Sequence, residues 1–189
     1  MPGPALNAPL LNGRYRPERL LARGGSSAVY AGTDTALGRT VAIKLLTAEA
    51  AQDTAQYERE IRMLAGLSHH GIVSIVDAGI DESAPADIRP FIVMEMVQGT
   101  SLGTAMQQRV LSSRQVGEIA YDIAEALEYV HLRGIVHRDI TPANVILVDY
   151  GTRTSRERAQ LTDFGIAQET DHIQAAGTPT IGTVAYLSP

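Results

Sequence analysis

Apolar and polar positions change their rhythm several times along this chain. From Tyr15 to Leu46, short apolar runs are broken by glycine-bearing polar segments. Arg19-Leu20-Leu21 leads into Gly24-Gly25-Ser26-Ser27, Ala28-Val29-Tyr30-Ala31 resumes, and Gly32 to Arg39 forms a polar turn. Thr40-Val41-Ala42-Ile43-Lys44-Leu45-Leu46 is then β-branched and mostly apolar. Such runs between glycine punctuation predict two or three short strands. Between Ala48 and Leu67 the period lengthens: Tyr57, Ile61, Leu64 and Ala65 fall on one face of an amphipathic helix. Ile72 to Val76 and Phe91 to Glu95 read as strands joined by a proline-containing loop. After Gly99 the pattern turns helical. Its strongest helix spans Val116 to Leu132, with Val116, Ile119, Ala120, Ile123, Ala124, Leu127 and Val130 on one stripe. Two short apolar runs, Val145 to Val148 and Gln160 to Thr162, flank a basic loop from Gly151 to Arg158, and the stretch beyond Gly165 has no periodicity. The prediction is an α+β chain: a sheet with one helix, then a mainly helical part, with the boundary near Gln98-Gly99.

Composition narrows the class. At 189 residues, 44% hydrophobic and 20% charged, the chain suits one sizeable core or two small lobes. A formal net charge of -5 argues against a nucleic-acid partner. The absence of cysteine removes disulfides, thiolate metal sites and cysteine nucleophiles, and fits a reducing, cytoplasmic setting. No run approaches the ~20 apolar residues of a membrane span, which leaves an anchor beyond residue 189 open. Residues 1–14 read as a flexible leader, because Met1 to Asn12 holds three prolines and no basic cluster ahead of an apolar run.

Several residues could carry chemistry, each beside a plainer reading. In His137-Arg138-Asp139-Ile140-Thr141-Pro142-Ala143-Asn144, Pro142 blocks regular helix. A constrained loop of this kind holds a carboxylate able to take a hydroxyl proton and an amide oxygen able to ligate a hard cation. Asp139 and Asn144 could equally cap turn backbone. Asp163-Phe164-Gly165 places an acid at a strand end, suited to Mg²⁺ or simply to a turn. Lys44 ends an apolar strand and either meets phosphate charge or snorkels to solvent. Glu60 lies on the first helix beside Arg59 and Arg62, where a solvated face is the plain alternative. Gly24-Gly25 could admit backbone amides to phosphates or merely turn a hairpin. Arg153, Arg156 and Arg158 could meet an acidic partner or tip a solvated loop.

Together and in this order, these segments resemble the protein kinase family, in its bacterial serine/threonine branch, from Tyr15 to Pro189. Ser68-His69-His70-Gly71-Ile72-Val73, Phe91-Ile92-Val93-Met94-Glu95 and Gly182-Thr183-Val184-Ala185-Tyr186-Leu187-Ser188-Pro189 add to the likeness. The resemblance implies a two-lobed fold. Residues 15–98 would form an N-lobe of antiparallel sheet plus one helix, and residues 99–189 the first part of a mainly helical C-lobe. It implies ATP and Mg²⁺ as cofactors, protein serine or threonine as acceptor, and leaves a homodimer open. By position, Lys44 would hold the α- and β-phosphates and pair with Glu60. Asp139 would orient and deprotonate the acceptor hydroxyl, while Asn144 and Asp163 would hold Mg²⁺. Leu21, Val29, Ala42 and Ile146 would sandwich the adenine beneath Gly24 and Gly25. Met94 would be the gatekeeper, and Glu95 and Val97 would offer backbone hydrogen bonds to the adenine edge. Phe164 and His137 would stack. Arg138 implies switching by phosphorylation at Thr178 or Thr180, with Thr183 buttressing Asp139.

Three departures qualify the likeness. The phosphate loop reads Ala22-Arg23-Gly24-Gly25-Ser26-Ser27-Ala28-Val29, keeping only the middle glycine of the family pattern. Thr141 stands where the family carries a lysine that supports the γ-phosphate, which implies a slower enzyme. The family motif continues beyond Pro189 into helices that carry the catalytic loop, so apolar surface is expected where they would pack. These departures keep a second reading open, a pseudokinase that binds nucleotide or scaffolds partners without transferring phosphate. A small-molecule phosphotransferase fits less well, because Arg138 and the Gly182–Pro189 segment are unusual in that class.

Overall fold

A computed structural model describes residues 10–25, 27–47, 54–82, 89–151 and 156–164. They divide into two units, one within Met1–Gly66 and Ser74–Met96, the other within Leu67–Val73 and Val97–Pro189.

The first unit is built on a five-stranded sheet. Strands β1 (Tyr15–Arg23), β2 (Ser27–Asp34), β3 (Arg39–Leu46), β4 (Ile75–Asp81) and β5 (Arg89–Glu95) lie in the order β1-β2-β3-β5-β4, every neighbour antiparallel. Phe91 to Met94 are all buried, as a continuous apolar run inside a sheet requires. Leu11, Tyr15, Val41, Ile43, Phe91 and Val93 form one cluster, with the Tyr15 and Phe91 rings 6.0 Å apart. Helix α1 (Thr54–Ala65) contributes buried Tyr57, Ile61 and Leu64, and Tyr57 donates its hydroxyl to the Phe91 carbonyl at 3.1 Å.

The polar turn is shorter than the pattern predicts, because β2 runs on through Asp34. That residue explains the change. Its buried carboxylate accepts the N–H groups of Ala36 and Leu37 and a bidentate pair from Arg14 at 2.8 Å each. The Arg14 guanidinium holds the Asp34 carboxyl well below its usual range, at about 2. Gly32 is glycine for a steric reason: a Cβ there would lie 2.3 Å from the Arg16 carbonyl oxygen.

The second unit carries a short helix α2 (Leu102–Gln108) and the long helix α3 (Ser113–His131). Beside them lies a small antiparallel sheet of β6 (Thr100–Ser101), β7 (Val145–Val148) and β8 (Arg158–Leu161). A capping box starts α3: the Ser112 hydroxyl accepts from the Gln115 N–H, and the Gln115 side chain accepts from the Ser112 N–H. Gly134 ends it, at φ 73°, with the Ile135 N–H returning to the Val130 carbonyl at 3.0 Å.

Two expectations are corrected here. The strand expected from Ile72 starts only at Ile75. Ile72 instead bridges Leu161 in parallel, and the Val73 N–H donates to the Leu161 carbonyl at 2.9 Å, so both bury in the second unit. The buried line of α3 is Ile119, Asp122, Ala126 and Val130 rather than the all-apolar stripe, and Val116 is 51% exposed. Asp122 turns the helix. Fully buried, it accepts from Arg156 at 2.6 Å and from the Ala159 N–H at 3.1 Å, with Arg158 at 3.4 Å. Arg156 and Arg158 are therefore bound within this chain, to α3. Val116 and Ile123 line an open apolar groove with Leu102, Met106, Leu111 and Ile119. Among the described residues no helix is long and apolar enough to cross a membrane.

Candidate active site

The second unit places its candidate residues on the loop after α3. His137 is buried, and its Nε2 lies 3.0 Å from the Thr162 carbonyl oxygen. A carbonyl can only accept, so Nε2 carries the proton. Nδ1 is then left to accept the Asp139 N–H at 3.4 Å. The ring is thus a neutral strut. Burial pushes its pKa below the usual 6.5, against the opposing pull of the Thr162 carbonyl. Phe164 is buried against it, with ring centroids 4.4 Å apart.

Pro142 to Asn144 form one 3₁₀ turn, closed by the Asn144 N–H on the Thr141 carbonyl at 3.0 Å. Thr141 is extended at φ -133° and ψ 158°, as the residue before a proline must be. The turn aims the Asn144 amide at Asp139. Its Nδ2 donates to the Asp139 carboxylate at 2.8 Å and to the Asp139 carbonyl at 2.9 Å. This fixes which end of the amide is nitrogen and turns Oδ1 away as an acceptor. The Thr162 N–H donates to the Asn144 carbonyl at 3.0 Å, which brings the start of the Asp163 segment to the same turn. Asp139, Asn144, His137, Thr162 and Phe164 therefore form one hydrogen-bonded and stacked group.

Backbone strain marks the same segments. Arg138 (φ 66°) and Asp163 (φ 61°) are left-handed non-glycine residues, joined among the described residues only by Asn12. Each such conformation costs about 1–3 kcal/mol and persists where surrounding structure holds it.

The first unit arranges its candidates by strand register. Val29, Lys44 and Ile92 form one cross-strand row, and Ala31, Ala42 and Met94 a row two residues along β3, so all six share one sheet face. Lys44 is half-buried, whereas Ala42 and Met94 are buried. Leu21 sits in the irregularity between Leu20 and Ala22 on β1 and is 39% exposed. Gly24 and Gly25 are exposed at the β1–β2 turn, where the Gly24 N–H donates to the Ser27 carbonyl at 2.8 Å. Glu60 is half-buried on α1. Glu95 gives its N–H to the Ser74 carbonyl at 3.0 Å, and its carboxylate accepts the Ser74 N–H at 2.9 Å. Val97 and Ile146 are half-buried in the second unit, Ile146 between Ser101 and Gln160. Gly165, Thr178, Thr180 and Thr183 lie outside the described residues.

Sequence reasoning overlooked Thr162 and Asp122. Thr162 acts through its backbone, which leaves no side-chain signal. Asp122 had one: with Glu118 it places two acids one helical turn apart, opposite the arginines of the following loop.

Comparisons with known proteins agree with this geometry. The protein kinase domain profile matches residues 15–189. The chain is 37% identical over 191 residues to a probable serine/threonine-protein kinase PknB of Bifidobacterium longum, covering 95% of this chain and 27% of that protein. A probable serine/threonine-protein kinase of Streptomyces coelicolor is 42% identical over 186 residues, with the same coverage. For serine/threonine-protein kinase PknA of Mycobacterium tuberculosis the figures are 35% identity, 95% of this chain and 41% of that one. The chain thus spans well under half the length of these relatives. The crystal structure of the M. tuberculosis PknI kinase domain matches with a TM-score of 0.70 and 32% identity, over 86% of this chain and 64% of that one. The sequence match over 15–189 and the shared fold agree, and this chain belongs to the protein kinase family.

Proposed function

We propose that this chain is the ATP-binding and catalytic portion of a serine/threonine protein kinase, with Asp139 as the base at the acceptor hydroxyl. The observation that carries this reading is the double donation from Asn144 to Asp139. It orients the Asp139 carboxylate while leaving the asparagine oxygen for a cation. The acceptor Ser or Thr oxygen forms a bond to the γ-phosphorus, the bond from that phosphorus to the β–γ bridging oxygen breaks, ADP departs, and the hydroxyl proton passes to Asp139.

Lys44, paired with Glu60, holds the α- and β-phosphates. Leu21, Val29, Ala42 and Ile146 enclose the adenine, and the Glu95 carbonyl and Val97 backbone meet its edge. Asn144 and Asp163 offer an amide and a carboxylate oxygen, the hard donor set that Mg²⁺ prefers. When bound, Mg²⁺ neutralises phosphate charge during transfer. His137 and Phe164 hold the loop that carries these donors. Thr178 and Thr180 are the proposed autophosphorylation positions, whose phosphates would pair with Arg138. ATP as donor places the domain in the cytoplasm.

The test is Mg·ATP-dependent autophosphorylation of the full natural chain against Asp139→Asn. Loss of a positioned base should cost ~10²–10⁴-fold in rate while nucleotide affinity persists. No phosphate incorporation by the wild type, with nucleotide binding intact, would overturn catalysis and leave the pseudokinase reading. Thr141→Lys should raise kcat, up to ~100-fold, the scale of one preorganised donor facing developing charge. An unchanged kcat would show that Thr141 limits nothing.

A further inference from the structure

Outside the residues assigned above, the second unit brings two imidazoles and a carboxylate together. The candidate ligand atoms of His69, His70 and Glu125 all lie within 4.8 Å of one another. His70 Nε2 is 3.1 Å from a Glu125 carboxylate oxygen, and the His69 and His70 rings are 4.4 Å apart. We propose that His69, His70 and Glu125 form a site for a late first-row divalent cation, Zn²⁺ above all, which ties the segment after α1 to helix α3.

The donor chemistry selects the metal. Two imidazoles and one carboxylate suit zinc, whereas magnesium and calcium prefer oxygen donors alone. Three protein ligands leave a fourth position of the tetrahedron for water. Zinc bonds of ~2.0–2.1 Å put neighbouring tetrahedral ligands ~3.3 Å apart, so closure from 4.8 Å needs ~1.5 Å of movement. The side chains that must move are free to do so, since His70 is 50% and Glu125 36% exposed.

The backbone beneath is already held. Gln160 Nε2 donates to the His70 carbonyl at 2.8 Å, and the Leu161 N–H donates to the Gly71 carbonyl at 2.8 Å. His69 stacks on Tyr129 of α3, with centroids 4.8 Å apart. Gly71 makes room for the ring, because a Cβ there would lie 3.2 Å from both His69 Nδ1 and the Ala126 Cβ.

Coordination has one cost. His69 Nδ1 accepts the Gly71 N–H at 3.1 Å, which puts the ring proton on Nε2. Binding at Nε2 moves that proton to Nδ1, so one neutral hydrogen bond is exchanged for a metal–nitrogen bond. His70 gives up its contact with Glu125 in favour of sharing the cation.

The experiment titrates the full natural chain with Zn²⁺ in excess Mg²⁺, against a chromophoric chelator, with Co²⁺ absorption reporting ligand geometry. One equivalent should bind, raise the thermal midpoint and give a tetrahedral Co²⁺ spectrum. His70→Ala should abolish all three. Glu125→Gln should weaken binding by at least ~10-fold, the loss already seen when only a partner of a ligand is removed. His131→Ala, an exposed histidine elsewhere on α3, should leave binding unchanged. Both test side chains are substantially exposed, so these variants keep their fold, which circular dichroism checks. Equal Zn²⁺ affinity in wild type, His70→Ala and Glu125→Gln would overturn the proposal, as would an octahedral Co²⁺ spectrum.

Discussion

The two units position their candidate residues by different means. In the first, backbone does the work: Lys44, Ala42 and Met94 owe their common face to an antiparallel register that runs through β2, β3 and β5. In the second, side chains do it. Asn144 bonds Asp139, His137 bonds the Thr162 carbonyl, and buried Asp122 collects two arginines and an N–H. A register spreads its stabilisation over many equivalent bonds, so single polar changes are tolerated. A side-chain network concentrates it in a few groups, each expensive to lose once buried.

Asp122→Ala puts the largest strain on that contrast. It removes the partner of the Ala159 N–H and a fully buried partner of Arg156 and Arg158. Stability should fall by about 3 kcal/mol, the cost of breaking a buried pair from one side. Chemical denaturation of the purified chain measures it. A loss no larger than that of a surface substitution would mean the network is ornamental.

Gly32→Ala should be the first unit's weak point. Its new Cβ would meet the Arg16 carbonyl oxygen at 2.3 Å and the Ile43 Cδ1 at 2.6 Å. A cost of about 1–3 kcal/mol follows from forced overpacking, with Gly99→Ala as the matching probe in the second unit. At Gly99 the Cβ would lie 2.4 Å from the Leu147 carbonyl oxygen. Thermal melts of both variants compare the two close approaches.

The smallest effect is in pH. Asp34 is lowered from 3.8 to about 2, so the unfolded state binds the proton more readily, and its contribution is full above pH 4 and lost on acidification toward 2. His137 is lowered from 6.5 by burial, so its contribution is full above about 6.5 and is lost as pH falls below that. His69 shifts in the same direction for the same leading cause. Hydrogen exchange followed by unit should show the second losing protection as pH falls below about 6.5 and the first only in stronger acid. Coincident losses would break the comparison.

The sheet and the long helix were legible because their signals are local: β-branched runs, glycine turns and a stripe of apolar residues. Helix α3 begins and ends within a few residues of its predicted bounds. The strand expected at Ile72 was misplaced because Ile72 and Val73 look like any apolar pair. Which sheet receives them depends on Leu161, some ninety residues later. Arg156 and Arg158 read as a solvent-facing loop for the same reason, since charge alone does not reveal a partner on a distant helix. Their acids, Glu118 and Asp122, sit on α3.

By itself the sequence carried the family and the coarse order of sheet before helices, and it named Asp139, Asn144, Asp163 and Lys44 as candidates, because residue type at a given spacing is enough for that. Tertiary structure decided the rest: which way the Asn144 amide points, which nitrogen of His137 bears its proton, and which side of α3 is buried. Those properties depend on groups that meet only after folding, and burial then makes their hydrogen bonds obligatory.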